Sequence, residues 1–215
     1  MAHAKPLLIG CFLALSLAGV AQANQIRLTR ADQARARAAV VHKADLGGSG
    51  WTGGLKKPDL ASGSGCVDYH PKDSDLVTTG AAQTTFTNGA LTFDSQVWLL
   101  ETATMVGADW HRSVRPAALT CLKELFGRAL GSKARIVSAA RTGFSAVARY
   151  TANFRVVFDV SSSGRSARIL VDVLLVGKGR AELTLTTIAP YSARVAVQGA
   201  ELRLARLVVG RLPRS

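Results

Sequence analysis

The run from Asn153 to Ala189 leaves this chain few architectures to choose from. In its first part Phe154, Val156, Phe158 and Val160 alternate with Asn153, Arg155 and Asp159, the period of two expected of a half-buried strand. Ser161-Ser162-Ser163-Gly164 turns the chain. The next part places Ile169, Val171, Val173 and Leu175 on one face. Its other face carries Arg168 and Asp172 but also Leu170, Leu174 and Val176, so this strand reads as apolar on both sides and central. After Gly177-Lys178-Gly179, a third strand sets Ala181, Leu183 and Leu185 against Arg180, Glu182, Thr184 and Thr186. A meander with one apolar face needs a helical cover, which predicts an α+β fold.

The remaining chain supplies that cover. Thr29 followed by Asp32 opens a first helix reaching about His42, with Ala34, Ala38 and Val41 as its apolar stripe. Arg30 and Arg37 share a face of it, seven apart, the pattern of a solvated face, with a binding surface as the alternative. A long Gly-, Ser- and Pro-bearing excursion follows, richest in Gly and Ser at about 47–66. Leu76 to Thr87 and Leu91 to Leu100 form a hairpin about Asn88-Gly89, although Gly80, Ala81 and Ala82 weaken the first strand. The period then changes to helical from Thr102 to about Val114. Pro116 begins a second segment with Leu119, Leu122, Phe126 and Ala129 in a stripe and Gly131 at its end. Lys133 to Arg141 is a further strand. Ser192 caps a last helix lined by Val197, Ala200, Leu204, Leu207 and Val208. The order is α-ββ-α(kinked)-β-βββ-α, an antiparallel sheet flanked by helices.

The N-terminus reads as a targeting segment. Lys5, the apolar run Leu7 to Val20 and the small-x-small triplet Ala21-Gln22-Ala23 predict a signal peptide over 1–23, cleaved between Ala23 and Asn24. Residues 24–28 then form a flexible N-terminus and 29–215 one domain. Leu8-Ile9-Gly10-Cys11 offers the alternative of lipidation at Cys11, although most of the apolar run lies beyond it. Cleavage lowers the formal charge from +13 to +12 and leaves two cysteines, Cys66 and Cys121. In an oxidising compartment such a pair most often forms a disulfide; the other possibility is two buried thiols.

Chemistry-bearing patterns are sparse. His42, His70 and His111 are far apart in sequence and lack metal-ligand spacing. Asp68-Tyr69-His70 is a polar loop segment with no marked nucleophile beside it, and Trp110-His111-Arg112 lies on a predicted helix. No nucleophile elbow, phosphate loop or dinucleotide fingerprint is present. The expectations are therefore no enzymatic activity, no metal and no cofactor. The strong positive charge, spread over every element, suits acidic partners, but the scarcity of aromatic pairs argues against nucleic acid.

Taken together, Asp45-Leu46-Gly47-x-x-Gly50-Trp51, the strand pair, Arg115-Pro116-Ala117-x-x-x-Cys121-Leu122, the meander and the closing helix resemble actinobacterial cell-envelope proteins. The pattern, covering about Thr29 to Leu212, is similar to the extracellular sensor domain of PknH-type kinases and, more distantly, to LpqN-type, PsbP-like lipoproteins. That resemblance implies a sheet flanked by helices, a groove for an unidentified ligand, and no catalysis. Those sensor domains hold two disulfides where this chain has cysteines for one. No ligand-binding residue is matched position by position. The function expected is that of an exported, monomeric, non-enzymatic module. It would bind a small or lipid-like ligand, or an envelope polymer, in a cleft with apolar walls and an Arg rim. The alternative is a basic adhesion domain for acidic wall polymers or the membrane surface, with at most peripheral membrane contact. A ligand module requires a sizeable apolar pocket, an adhesion domain a filled core and a one-sided cluster of Arg.

Overall fold

The computed structural model of the protein describes residues 25–60, 66, 68–131, 134–162 and 165–212. The predicted signal peptide, its Ala23–Asn24 junction, Cys11 and most of the Gly/Ser-rich stretch lie outside the described residues. In chain order the elements are β1 (Gln25–Ile26), α1 (Arg30–Ala39), β2 (Thr52–Lys56), β3 (Val77–Asn88), β4 (Leu91–Leu100), α2 (Ala103–Ser113), α3 (Pro116–Leu130), β5 (Ala134–Thr142), β6 (Tyr150–Ser162), β7 (Arg165–Lys178), β8 (Ala181–Pro190) and α4 (Arg194–Arg211).

All eight strands form one sheet in the order β1-β3-β4-β8-β7-β6-β5, with β2 also paired to β3. Every pairing is antiparallel except the short β1–β3 contact. Hairpin β3–β4 closes at Asn88-Gly89, where Gly89 takes φ 59°. Helices α2 and α3 then carry the chain to the far edge, and the meander β5–β8 walks back until β8 lies beside β4. The α+β class and the order of the longer elements agree with the sequence.

The cover is two-sided. Helices α1 and α4 lie on one face of the sheet, over Val97, Leu174, Leu183 and Leu185, and pack on each other. Helices α2 and α3 lie on the other. There Leu122 and Phe126 meet Phe154, Val156, Phe158, Val171 and Val173, with the Phe126 and Phe158 rings 5.4 Å apart. The reading of β7 as a central strand thus holds. The reading of one covered face does not, because Glu182, Thr184 and Thr186, expected to face solvent, are buried.

Other expectations are corrected by local chemistry. The buried side of α1 is Asp32, Ala36 and Ala39, while Ala34 and Ala38 are exposed. Five alanines in ten residues carry too little apolar contrast to fix a register, so polar contacts fix it. Thr29 Oγ1 accepts from Asp32 N at 3.1 Å, and the Asp32 carboxylate takes guanidinium groups from Arg35 and Arg180, each at 2.8 Å. Gly80 is needed there, since a Cβ at that position would lie 2.5 Å from the Asp32 carbonyl oxygen. Its cost to strand propensity is outweighed by the close approach it permits. The excursion after Asp45 is not all loop: Thr52–Lys56 pairs with β3, and Gly53, at φ 116°, passes so close to Thr85 that no side chain would fit. Ser192 does not cap α4, which follows a 3-10 turn at Tyr191–Ala193. In α4 the expected stripe residue Leu207 is exposed and Glu201 is fully buried instead.

Cys66 and Cys121 form a disulfide, with Cα atoms 5.5 Å apart. It ties the chain between β2 and β3 to α3. The same segment is held to α2 by the hydroxyl of Tyr69, which donates to the Arg112 carbonyl at 2.6 Å, and by the Arg112–Asp75 fork at 2.8 and 2.6 Å.

Candidate functional site

Two regions depart from what a stable core of this size requires. The first is a polar wall on the α2 side of the sheet. Because Gln83 pairs with Gln96, Thr85 with Asp94, Gln96 with Thr184 and Asp94 with Thr186, these six side chains share one face of β3, β4 and β8. All are buried. Asp94 accepts from Gln83 Nε2 at 2.9 and 3.1 Å, from Gln96 Nε2 at 3.3 Å and from the Thr85 hydroxyl. Burial still pushes its carboxyl above the usual range, against the pull of those donors.

The wall continues to a pair of acids. Gly177 has no side chain, so Val106 of α2 approaches β7, and Tyr150 fits against Gly107. This close seat places Asp109 of α2 in one cavity lining with Glu182, the residue paired with Gly177. Burial raises both carboxyls, Asp109 to about 7, and the charge of Asp109 adds to the rise at Glu182. Asp109 Oδ1, Thr184 Oγ1 and the Trp98 indole N–H have no hydrogen-bond partner among the described residues. Asp109, Ser113, Glu182 and Thr184 line a cavity of about 10 Å³, room for about one water.

A second acid pair lies on the opposite face. Glu201 of α4 packs against Asp172 of β7, which is held by the Arg155 guanidinium at 2.7 and 2.5 Å. Burial first, then the Asp172 charge, pushes Glu201 to about 8. It is a neutral acid at pH 7.

The second region is the outer surface of α1 and α4. Residues 30–46 and 191–212 hold eight basic residues and three acids. None of the three acids is exposed. Asp32 is buried between Arg35 and Arg180, Asp45 is taken by Arg211 and held below the usual carboxylate range by that bond, and Glu201 is buried and protonated. Arg30, Arg35, Arg37, Lys43, Arg194, Arg203, Arg206 and Arg211 are all exposed. Arg211 also donates to the Val40 carbonyl at 3.3 Å, tying the end of α4 to the end of α1 and making the two helices one surface. Across the sheet the basic residues are interspersed with acids: Asp75 and Asp68 are exposed near α2.

The residues singled out in the sequence are not brought into either region. His42 precedes the 3-10 turn Lys43–Asp45, with Nε2 3.1 Å from the Ala38 carbonyl. Asp68 and His70 are exposed on the segment between β2 and β3, and His111 is exposed on α2. Among the described residues no cluster of three or more His, Cys, Asp or Glu has metal-binding geometry. Asp109, Glu182 and Glu201 were not foreseen. Glu201 did carry a signal, since it interrupts the 197-204-208 stripe on the same side of the helix.

No model of a known protein family matches the chain. Nor does any curated protein match it significantly. No helix among the described residues is long and apolar enough to cross a membrane.

Proposed function

We propose that this chain is an exported, non-enzymatic binding module of the cell envelope that acts through the basic outer surface of α1 and α4 on an anionic partner. The observation that carries this reading is the burial or pairing of every acid in that layer, which leaves only positive charge exposed. Guanidinium groups dominate it, and these form strong paired hydrogen bonds with phosphate and carboxylate. The cavity beside Asp109 and Glu182 supports the same choice, being too small for the lipid-like ligand that an apolar cleft would hold. In this reading the leader is cleaved between Ala23 and Asn24 and the disulfide forms after export. The intact mass of the protein from its own host should then match a chain starting at Asn24 and lacking two hydrogens; an acylated Cys11 would contradict it.

Retention on immobilised polyphosphate tests the surface. Wild-type protein should elute at high salt, and Arg30→Glu/Arg37→Glu/Arg206→Glu should elute far earlier. A control of equal net charge, Lys123→Glu/Arg141→Glu/Arg149→Glu, should stay close to wild type, because those residues lie elsewhere. Equal losses for both triples would reduce the effect to net charge alone.

One observation favours a second reading, a sensor of the kind the sequence resembles. Six buried polar side chains on adjacent strands are costly to fold, and such concentrations often mark recognition of a small polar ligand.

A further inference from the structure

Resting on the reading of α1 and α4 as an anion-binding surface, we infer that its partner is the anionic face of a lipid bilayer, on which α4 lies in the interfacial plane. Charge alone does not choose between a membrane and a soluble polyanion. The apolar residues among the charges do. Val195 is 74% and Leu207 39% exposed, and they lie on the exposed arc of α4, outside its buried Val197, Leu204 and Val208. Arg203 and Arg206 lie between them on the same exposed arc. With 1.5 Å of rise per residue, the two apolar side chains stand about 18 Å apart along the axis, near opposite ends of the helix. A helix bound to a soluble polymer gains nothing from apolar tips at its ends. One lying on a membrane inserts such residues at the headgroup boundary while its arginines meet the phosphates. Arg30 and Arg37 on the neighbouring α1 widen the basic plane.

The experiment is sedimentation of the full chain with vesicles of neutral phosphatidylcholine, with and without one quarter phosphatidylglycerol, alongside binding to soluble polyphosphate. The N-terminal apolar run would bind both vesicle types alike, so the difference between them reports the basic surface. The inference expects the glycerol-lipid vesicles to bind the protein far more tightly. Arg30→Gln/Arg37→Gln/Arg206→Gln should weaken that binding about 100-fold, at roughly fivefold per basic residue near an anionic surface. Val195→Gln/Leu207→Gln should weaken vesicle binding at least 10-fold and leave polyphosphate binding unchanged. If that double variant still binds charged vesicles like wild type, the bilayer is not the partner. The surface itself survives that result provided the Arg triple still loses polyphosphate. If the Arg triple loses nothing with either probe, the reading beneath the inference fails as well.

Discussion

Raising the pH from 5 to 7 should destabilise this fold by up to about 5 kcal/mol, the reverse of what a domain held by surface ion pairs would do. Burial lifts Glu201 from an ordinary 4.5 to about 8 and Asp109 from 3.8 to about 7. Below about pH 3 both groups are protonated in the folded and the unfolded chain, and burying them carries no ionisation penalty. As the pH rises, the unfolded chain releases protons that the folded one keeps, so stability falls by roughly 1.4 kcal/mol per pH unit for each group. The loss continues until the folded values are passed, near 7 and 8. The groups facing each acid sharpen the test. Asp109 faces Glu182 and Ser113, with the Arg112 charge nearby, and Glu201 faces Asp172, Thr187 and Arg155. Asp32, Asp45, Asp75 and Asp159 have lowered values, so they contribute fully throughout this window and add no slope. Glu201→Gln keeps the size and the donor of the protonated acid. It should therefore match wild type at pH 5 and exceed it at pH 8 by on the order of 3 kcal/mol, measured by urea unfolding. Stability that is flat between pH 5 and 8 would mean that these carboxyls are ionised or wet in the folded state.

Replacing Cys66 and Cys121 by serine should cost about 4 kcal/mol, since the bond closes a separation of 55 residues. The loss should not be confined to the denatured ensemble. The tie holds the β2–β3 segment against α3, and the Tyr69 and Asp75 contacts to Arg112 depend on that segment staying in place. Reduction should therefore speed amide exchange in 66–76 and in α2 more than in β6 to β8. Uniform loss of protection across the sheet would instead place the effect wholly in the unfolded chain.

How far these features could be read in advance follows from what each residue type signals. Alternation in 153–189 and the Asn88-Gly89 turn gave strands whose pairing partners lie next to them in sequence, and these were legible. The pairing of β4 with β8 was not, because it joins segments some 90 residues apart and no local pattern encodes it. With β8 expected to have one open face, Glu182 and Thr184 read as solvent-facing. Only the placement of α2 over them makes them a buried wall. Strand β2 was hidden by Gly53 and Gly54, which signal loop by composition, although Gly53 is required by the close approach to β3. In α1 an alanine-rich sequence left the register to Asp32, whose partner Arg180 lies 148 residues away. The basic surface was half legible. Arg30 and Arg37 shared a predicted face, but the positive excess of the layer depends on where its three acids point, and only the fold decides that.

The central claim is that the outer surface of α1 and α4 is where this protein meets an anionic partner. It is tested most directly by hydrogen exchange of the protein with and without saturating polyphosphate. The account predicts added protection in 30–46 and 194–211, with α2, α3 and the strands around Asp94 unchanged. Protection concentrated on α2 and on the wall of Asp94, Gln96 and Thr184, with α1 and α4 unaffected, would contradict it and assign recognition to the interior site.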